Sequence, residues 1–303
     1  MPLSKSEGVS LKLGLGTAQF GLDYGITNKN GKVPDNEVAA ILQYARTHNV
    51  EVIDTAATYG TSEEVLGLHL NAGDAFKIVT KTLPINRAAI TKNDIDLVLD
   101  GFDRSLKRLK RSKIYGLLVH SSRNLTSDNS EILMVELHKL KQSGRVEKIG
   151  ASVYSGEEID QIVARHQIDL VQLPINVFDQ RLIASGHIDK LKNLGVEIHA
   201  RSVFLQGLLL ASGQLPEIFQ DLQRPMEEYR RYLRNHTLTQ TEGALAFLKQ
   251  LGTIDYAIVG VLSAGNLAEI CAALHAPCRE QLGFSSFALT NRKIIDPTKW
   301  ANA

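Results

Sequence analysis

Four side chains in the first 120 residues, Asp54, Tyr59, Lys81 and His120, have the types needed to place a proton on a carbonyl oxygen. A free tyrosine has a pKa of about 10, too high for ready donation at neutral pH. An adjacent ammonium stabilises the phenolate and lowers that value. A partly buried ammonium in turn needs a carboxylate partner to stay charged. Asp54 and Lys81 beside Tyr59 would meet these requirements, and His120 would polarise the same carbonyl oxygen. The set describes a general acid for adding a hydride to C=O, assistance worth about 10²–10⁴-fold. Side chains do not donate hydride, so the chemistry implies a nicotinamide cofactor. Singly, each residue has a plainer explanation, as a surface ion pair or a satisfied core histidine; only convergence favours the catalytic one.

Convergence depends on the elements that carry them. Short apolar runs recur at 11–16, 50–54, 76–81, 114–120, 146–153, 169–174, 196–202 and 255–261. Between them lie amphipathic stretches with helix-start and helix-stop residues, such as "SEEVLGLHL" and "TQTEGALAFLKQLG". Strict strand–helix alternation implies a parallel sheet with right-handed crossovers. Eight such units predict a single-domain α/β chain, a (β/α)₈ TIM barrel. The open doubly wound alternative would carry GxGxxG after its first strand, but "GLGTAQFG" places Gln19 where the third glycine belongs.

In such barrels chemistry sits at the carboxyl ends of the strands. Those ends supply Asp54, Lys81, His120, Ser152, Gln172 and Arg201, then Gly260 followed by Ser263. The segment 203–238 breaks the regular spacing and reads as an excursion on the active-site rim, and the tail 277–303 is expected near the same face. Phe284, Phe287 and Trp300 of that tail either line a pocket or pack on the barrel exterior.

Composition excludes several classes. The 303 residues carry a net charge of +1 and are 44% apolar, which suits a large core and argues against a nucleic-acid or acidic-membrane surface. The basic run 104–113 reads as the solvated C-terminal end of a helix. Two cysteines, Cys271 and Cys278, are too few for a disulfide framework, and no signal or transmembrane run is present; a cytoplasmic protein is expected. The nine histidines show no metal-binding spacing. Nothing in the sequence sets an oligomeric state.

From about Leu11 to about His275 the chain resembles the aldo-keto reductases, through "GLGTAQFG", "VIDTAATYG", "IVTK", "LLVHS", "KIGASVYS", "LVQLPIN", "ARSVFLQGLL" and "IVGVLSAGNLAEI" in order. The resemblance implies a catalytic tetrad of Asp54, Tyr59, Lys81 and His120, with Tyr59 as proton donor. It also implies NADP(H) or NAD(H) lying extended across the barrel mouth and a small-molecule carbonyl substrate, an aldehyde, ketone or sugar-like compound. Gly16 and Thr17 would approach the nicotinamide ribose, and Ser152 and Gln172 the carboxamide. The turn holding Arg201, Ser202, Phe204, Gln206 and Gly207 would cradle the pyrophosphate. Gly260, Ser263, Asn266 and Glu269 would hold the adenosine end, where exposed N–H groups favour phosphate.

Four positions depart from the family pattern. Val153 follows Ser152 where Asn is frequent, Ile270 replaces an adenine-binding Asn, and Asn266 stands where many members place Arg or Gln near the 2′-phosphate. Arg201 occupies the place of an aromatic residue that stacks on the nicotinamide. Its planar guanidinium would stack instead, reach an anionic substrate group, or pair with a rim acid. A second class stays open, since the same fold with an intact tetrad serves in potassium-channel beta subunits and cofactor-binding regulators. A short-chain dehydrogenase is disfavoured, because no tyrosine has lysine four residues later.

Overall fold

The computed structural model describes residues 10–277 and 281–300. Eight parallel strands close into a barrel in sequence order: β1 (Lys12–Gly16), β2 (Val50–Asp54), β3 (Lys77–Lys81), β4 (Ile114–Val119), β5 (Val146–Ser152), β6 (Leu170–Pro174), β7 (Glu197–Arg201) and β8 (Tyr256–Gly260). The expected (β/α)₈ barrel is the observed fold. Register levels the strand ends on one rim: Gly16 lies opposite both Asp54 and Gly260, Ser152 opposite Gln172, and Pro174 opposite Arg201.

Crossover helices follow the sequence pattern: α1 (Asp35–Thr47), α2 (Ser62–His69), α3 (Lys92–Leu109), α4 (Ser130–Gln142), α5 (Gly156–Arg165) and α6 (His187–Asn193). The helix α7 (Gln220–Asn235) comes next, then α8 (Gln240–Leu251) and α9 (Ala264–His275). Thr91, Ser155 and Thr239 each form a reciprocal capping box with the acid three residues on, which satisfies two otherwise unpaired N–H groups at the starts of α3, α5 and α8.

The expected irregular excursion at 203–238 is thus largely helical. Pro225 lies inside α7, a residue that normally ends a helix by removing a donor and crowding the preceding turn. Leu222, Met226, Tyr229 and Leu233 bury one stripe of that helix, and this packing overrides the local cost.

Apolar residues fill two regions. Strand exteriors and helix inner faces share one large core, while Val52, Val79, Leu118, Leu170 and Ile258 pack inside the barrel beside Tyr256. Beneath that inner layer, at the strands' N-terminal ends, runs a polar network. Lys77 donates to Glu51 (3.1 Å) and to the Tyr256 hydroxyl (2.7 Å), while Tyr115 (2.8 Å) and Lys148 (2.7 Å) both donate to Glu197.

Phe284 packs edge-on against Phe247 at 5.8 Å, Phe287 against Tyr229 at 5.3 Å, and Trp300 against Phe219 at 4.9 Å. The exterior alternative therefore holds for all three; none lines the mouth of the barrel. Cys271 is buried, and Cys278 lies outside the described residues. Among the described residues no helix is long and apolar enough to cross a membrane.

Candidate active site

At the end of β2 the Asp54 carbonyl is held from the end of β1. Thr17 donates both its N–H (3.0 Å) and its hydroxyl (2.9 Å) to the Asp54 carbonyl oxygen. Ser62 then donates to the Thr17 hydroxyl at 2.8 Å, which ties the far end of the Tyr59 loop to the same point. Two glycines allow the close approach. A Cβ at Gly21 would lie 1.9 Å from the Tyr59 carbonyl, and one at Gly60, whose φ is +54°, would lie 2.3 Å from the Gly21 carbonyl. The phenol is positioned by a loop with no room for side chains on its inner side.

Lys81 is 1% exposed, and its ammonium donates to both Asp54 carboxylate oxygens and to the Thr55 carbonyl, each at 2.9 Å. The same ammonium lies 4.9 Å from the centre of the Tyr59 ring. Burial by itself would push the lysine down, but the Asp54 carboxylate, reinforced by Tyr59, outweighs it and holds the group above its ordinary value. The charge needed beside the phenol is therefore retained in a buried place.

His120 approaches Tyr59 edge-on, with ring centres 6.1 Å apart. Burial, then the charges of Lys81 and Arg201, push the imidazole down to about 4, with Asp54 opposing. It is neutral at physiological pH. The Thr58 hydroxyl lies 3.3 Å from its Nδ1, which leaves Nε2 for a ligand in the mouth. The sign of the stability effect follows. An unfolded histidine takes up a proton near pH 6.5, and the folded one resists to about 4. The contribution to stability is complete above about pH 6.5 and declines as pH falls toward about 4. His120→Asn should thus lose less stability than the wild type between about pH 7 and about pH 4.5, read from urea midpoints. Equal losses would show that the folded imidazole is charged.

A cavity of about 380 Å³ opens over this cluster and runs from Tyr59 and His120 to Asn266 and Glu269. Gly16, Thr17, Asp54, Ser152, Gln172, Arg201, Ser202, Phe204, Gln206, Gly207 and Gly260 all line it. Two of the expected site residues do not: Lys81 lies buried, bonded to Asp54, and Ser263 caps α9 by accepting from the Asn266 N–H at 3.1 Å. Gln172 is already committed in part, since its amide donates to Asp54 Oδ1 at 2.7 Å. Glu269 likewise accepts from the Thr241 hydroxyl at 2.9 Å.

The turn after β7 holds Ser202, Leu205 and Gln206 at φ of 57°, 47° and 52°, with Gly207 at 91°. Three non-glycine residues in the left-handed region within five positions mark a turn held by its surroundings. Asn176 donates to the Ser202 carbonyl at 3.1 Å, and Thr27 donates to that of Gln206 at 3.2 Å.

Residues that sequence reading missed also line the cavity. Tyr24 and Thr27 come from the loop after β1, where Gln206 donates to the Tyr24 hydroxyl at 3.3 Å. Tyr154 stands two positions past the end of β5 and forms the face on which Arg201 lies, 4.0 Å from guanidinium carbon to ring centre. Outside the lining itself, the Glu37 carboxylate accepts the Ala264 N–H at 2.7 Å, occupying the start of α9. Tyr154 was legible as an aromatic just beyond a strand end; Glu37, on a helix distant in sequence, carried no such signal.

Residues 12–281 match the family model described as the aldo/keto reductase family. Among solved structures, the chain resembles an aldo-keto reductase from Bacillus halodurans in its holo form (18% identity, TM-score 0.72), covering 88% of this chain and 87% of that one. A glycerol dehydrogenase from Gluconobacter oxydans is similar at 20% identity and TM-score 0.68, over 93% and 88% of the two chains. A Pseudomonas aeruginosa protein described as an aldo-keto reductase shares 26% identity, with TM-score 0.64, over 90% and 93%. With the family model spanning most of its length over a closed eight-stranded barrel, this chain belongs to the aldo/keto reductase family, whose members are oxidoreductases.

Proposed function

We propose that the protein is a nicotinamide-dependent carbonyl reductase in which Tyr59 is the general acid, with a preference for NAD(H). The observation that carries this reading is the buried Lys81 ammonium, chelated by Asp54 at 2.9 Å and facing the Tyr59 ring at 4.9 Å.

The cavity suits an extended dinucleotide. Its lining runs from Tyr59 and His120 to Asn266 and Glu269 and includes residues of the left-handed turn at 202–207. Gly16 and Thr17, Ser152, the 202–207 turn, then Asn266 and Glu269 would hold the successive parts of the cofactor. When bound, the reduced nicotinamide supplies the hydride. The protein does the rest. Neutral His120 donates a hydrogen bond from Nε2 to the carbonyl oxygen, Tyr59 transfers its proton to that oxygen, and Lys81 stabilises the phenolate left behind.

The charge distribution supports NAD(H). The cavity's lining holds one cation among the described residues, Arg201, and its guanidinium leans toward β5, away from α9. A 2′-phosphate at the α9 end would find no cation in the cavity lining there among the described residues, and would meet the Glu269 carboxylate, with Glu37 already on the Ala264 N–H at the helix start. Fluorescence titration should show NADH binding about 10-fold or more tighter than NADPH, the scale of one charge-assisted contact. The pair Glu37→Gln and Asn266→Arg should narrow or invert that ratio. Tighter NADPH binding by the wild type would refute the assignment.

A further inference from the structure

The guanidinium of Arg201 is a charge without an assigned counter-charge. No carboxylate pairs with it among the described residues; its contacts are the Val153 carbonyl at 3.1 Å, the Ser202 hydroxyl at 3.4 Å and the Tyr154 ring at 4.0 Å. The expected alternative of a salt bridge to a rim acid is therefore absent. Of five N–H donors on a guanidinium, two are used, and both donate to neutral oxygens.

Direction matters as much as charge. Arg201 ends β7, yet its side chain crosses the end of β6 to bond the residue after β5. It thus turns away from β8 and α9, where the adenosine half of a dinucleotide would lie, and toward the β4–β5 side that holds His120. Its charge is felt at the imidazole, where it helps keep His120 neutral. The other ionic groups near the phenol cancel, because Lys81 and Asp54 neutralise each other. The substrate end of the cavity is left with one net positive charge.

We propose that Arg201, seated on Tyr154, is a specificity-determining residue that binds an anionic group on the substrate, so that the protein reduces carbonyl compounds bearing a carboxylate or phosphate. This rests on the reductase reading above. A planar guanidinium braced against an aromatic face loses little freedom on binding and presents a fork suited to either anion. The anion is chemically unchanged in turnover: hydride adds to the carbonyl carbon, the Tyr59 proton goes to the oxygen, and the carboxylate or phosphate serves as a handle.

Matched aldehydes test this: butanal against 4-oxobutanoate, and glyceraldehyde against glyceraldehyde 3-phosphate, each with saturating NADH. In the wild type the charged member of at least one pair should have the higher kcat/KM, with a KM that rises with salt. Arg201→Gln should lower the charged-to-neutral ratio by about 10- to 100-fold, mainly through KM, the range for a hydrogen bond to a charged group. Arg201→Lys should recover part of it, and Tyr154→Leu should give an intermediate loss. The pair that responds identifies the anion. A ratio unmoved by Arg201→Gln overturns the proposal, as does a wild type that favours both neutral aldehydes. A ratio change matched by an equal change in NADH affinity also overturns it, by returning Arg201 to the cofactor. Binding separates the two readings. If no aldehyde is reduced but succinate or glycerol 3-phosphate perturbs bound-NADH fluorescence in the wild type and not in Arg201→Gln, the reductase reading falls and the anion subsite stands. Turnover of neutral aldehydes with no Arg201-dependent anion binding leaves the reductase and removes the subsite.

Discussion

Tyr59→Phe should lower kcat/KM for carbonyl reduction by about 10²-fold or more while leaving NADH binding nearly intact. The separation follows from the geometry. The phenyl ring keeps its place between the Gly21–Gly60 contact and the Lys81 ammonium, so only the transferable proton is removed. Loss should appear in kcat and kcat/KM together, as expected when an interaction made only in the transition state is deleted. Wild-type-like turnover in this variant would exclude Tyr59 as the acid. Wild-type protein that binds NADH tightly but reduces no member of a broad carbonyl panel would favour a cofactor-sensing role for the same fold.

Lys81→Met is expected to be the most damaging single change to stability. It strands the Asp54 carboxylate, 4% exposed, with only Gln172 left among its side-chain donors. Breaking a buried pair from one side costs about 3–5 kcal/mol. Urea denaturation should show that loss, and reductase activity should fall with it because the phenolate loses its cation. The companion change separates the two effects. Asp54→Leu combined with Lys81→Met removes both charges and should recover much of the stability without recovering activity. If the double variant is no more stable than the single, the pair is not the source of the loss. Restored catalysis in the double variant would mean that the ammonium does not tune the phenol.

Much of the fold could be read in advance because the physical signals were local. Every strand lies within one residue of an apolar run bounded by polar or small residues, as in "VEVID" for Val50–Asp54. Helix starts were marked by residues that cap, such as Ser155 with Glu158. The meeting of Asp54, Lys81 and His120 at one rim was legible because barrel topology converts "end of a strand" into "same rim". The misses were non-local. Helix α7 was hidden by Pro225, although its apolar stripe at 222, 226, 229 and 233 held the period. Contacts such as Gln172 with Asp54, 118 residues apart, and Glu37 with Ala264, 227 apart, depend on which side chain reaches across the mouth, and no spacing rule encodes that. Arg201 drew notice as a departure from a pattern, but its lean toward β5 and its seat on Tyr154 appear only in three dimensions.

The lower end of the barrel has a bearing on how the acid is recharged. The pairs Lys77–Glu51 and Lys148–Glu197 lie under an apolar layer of Val52, Val79, Leu118, Leu170 and Ile258, which stands between them and the phenol. If Tyr59 is the acid, as proposed, its reprotonation would come through the cavity it lines. On the proposed mechanism, with cofactor and substrate both seated there, one proton would be at hand for delivery until the alcohol departs.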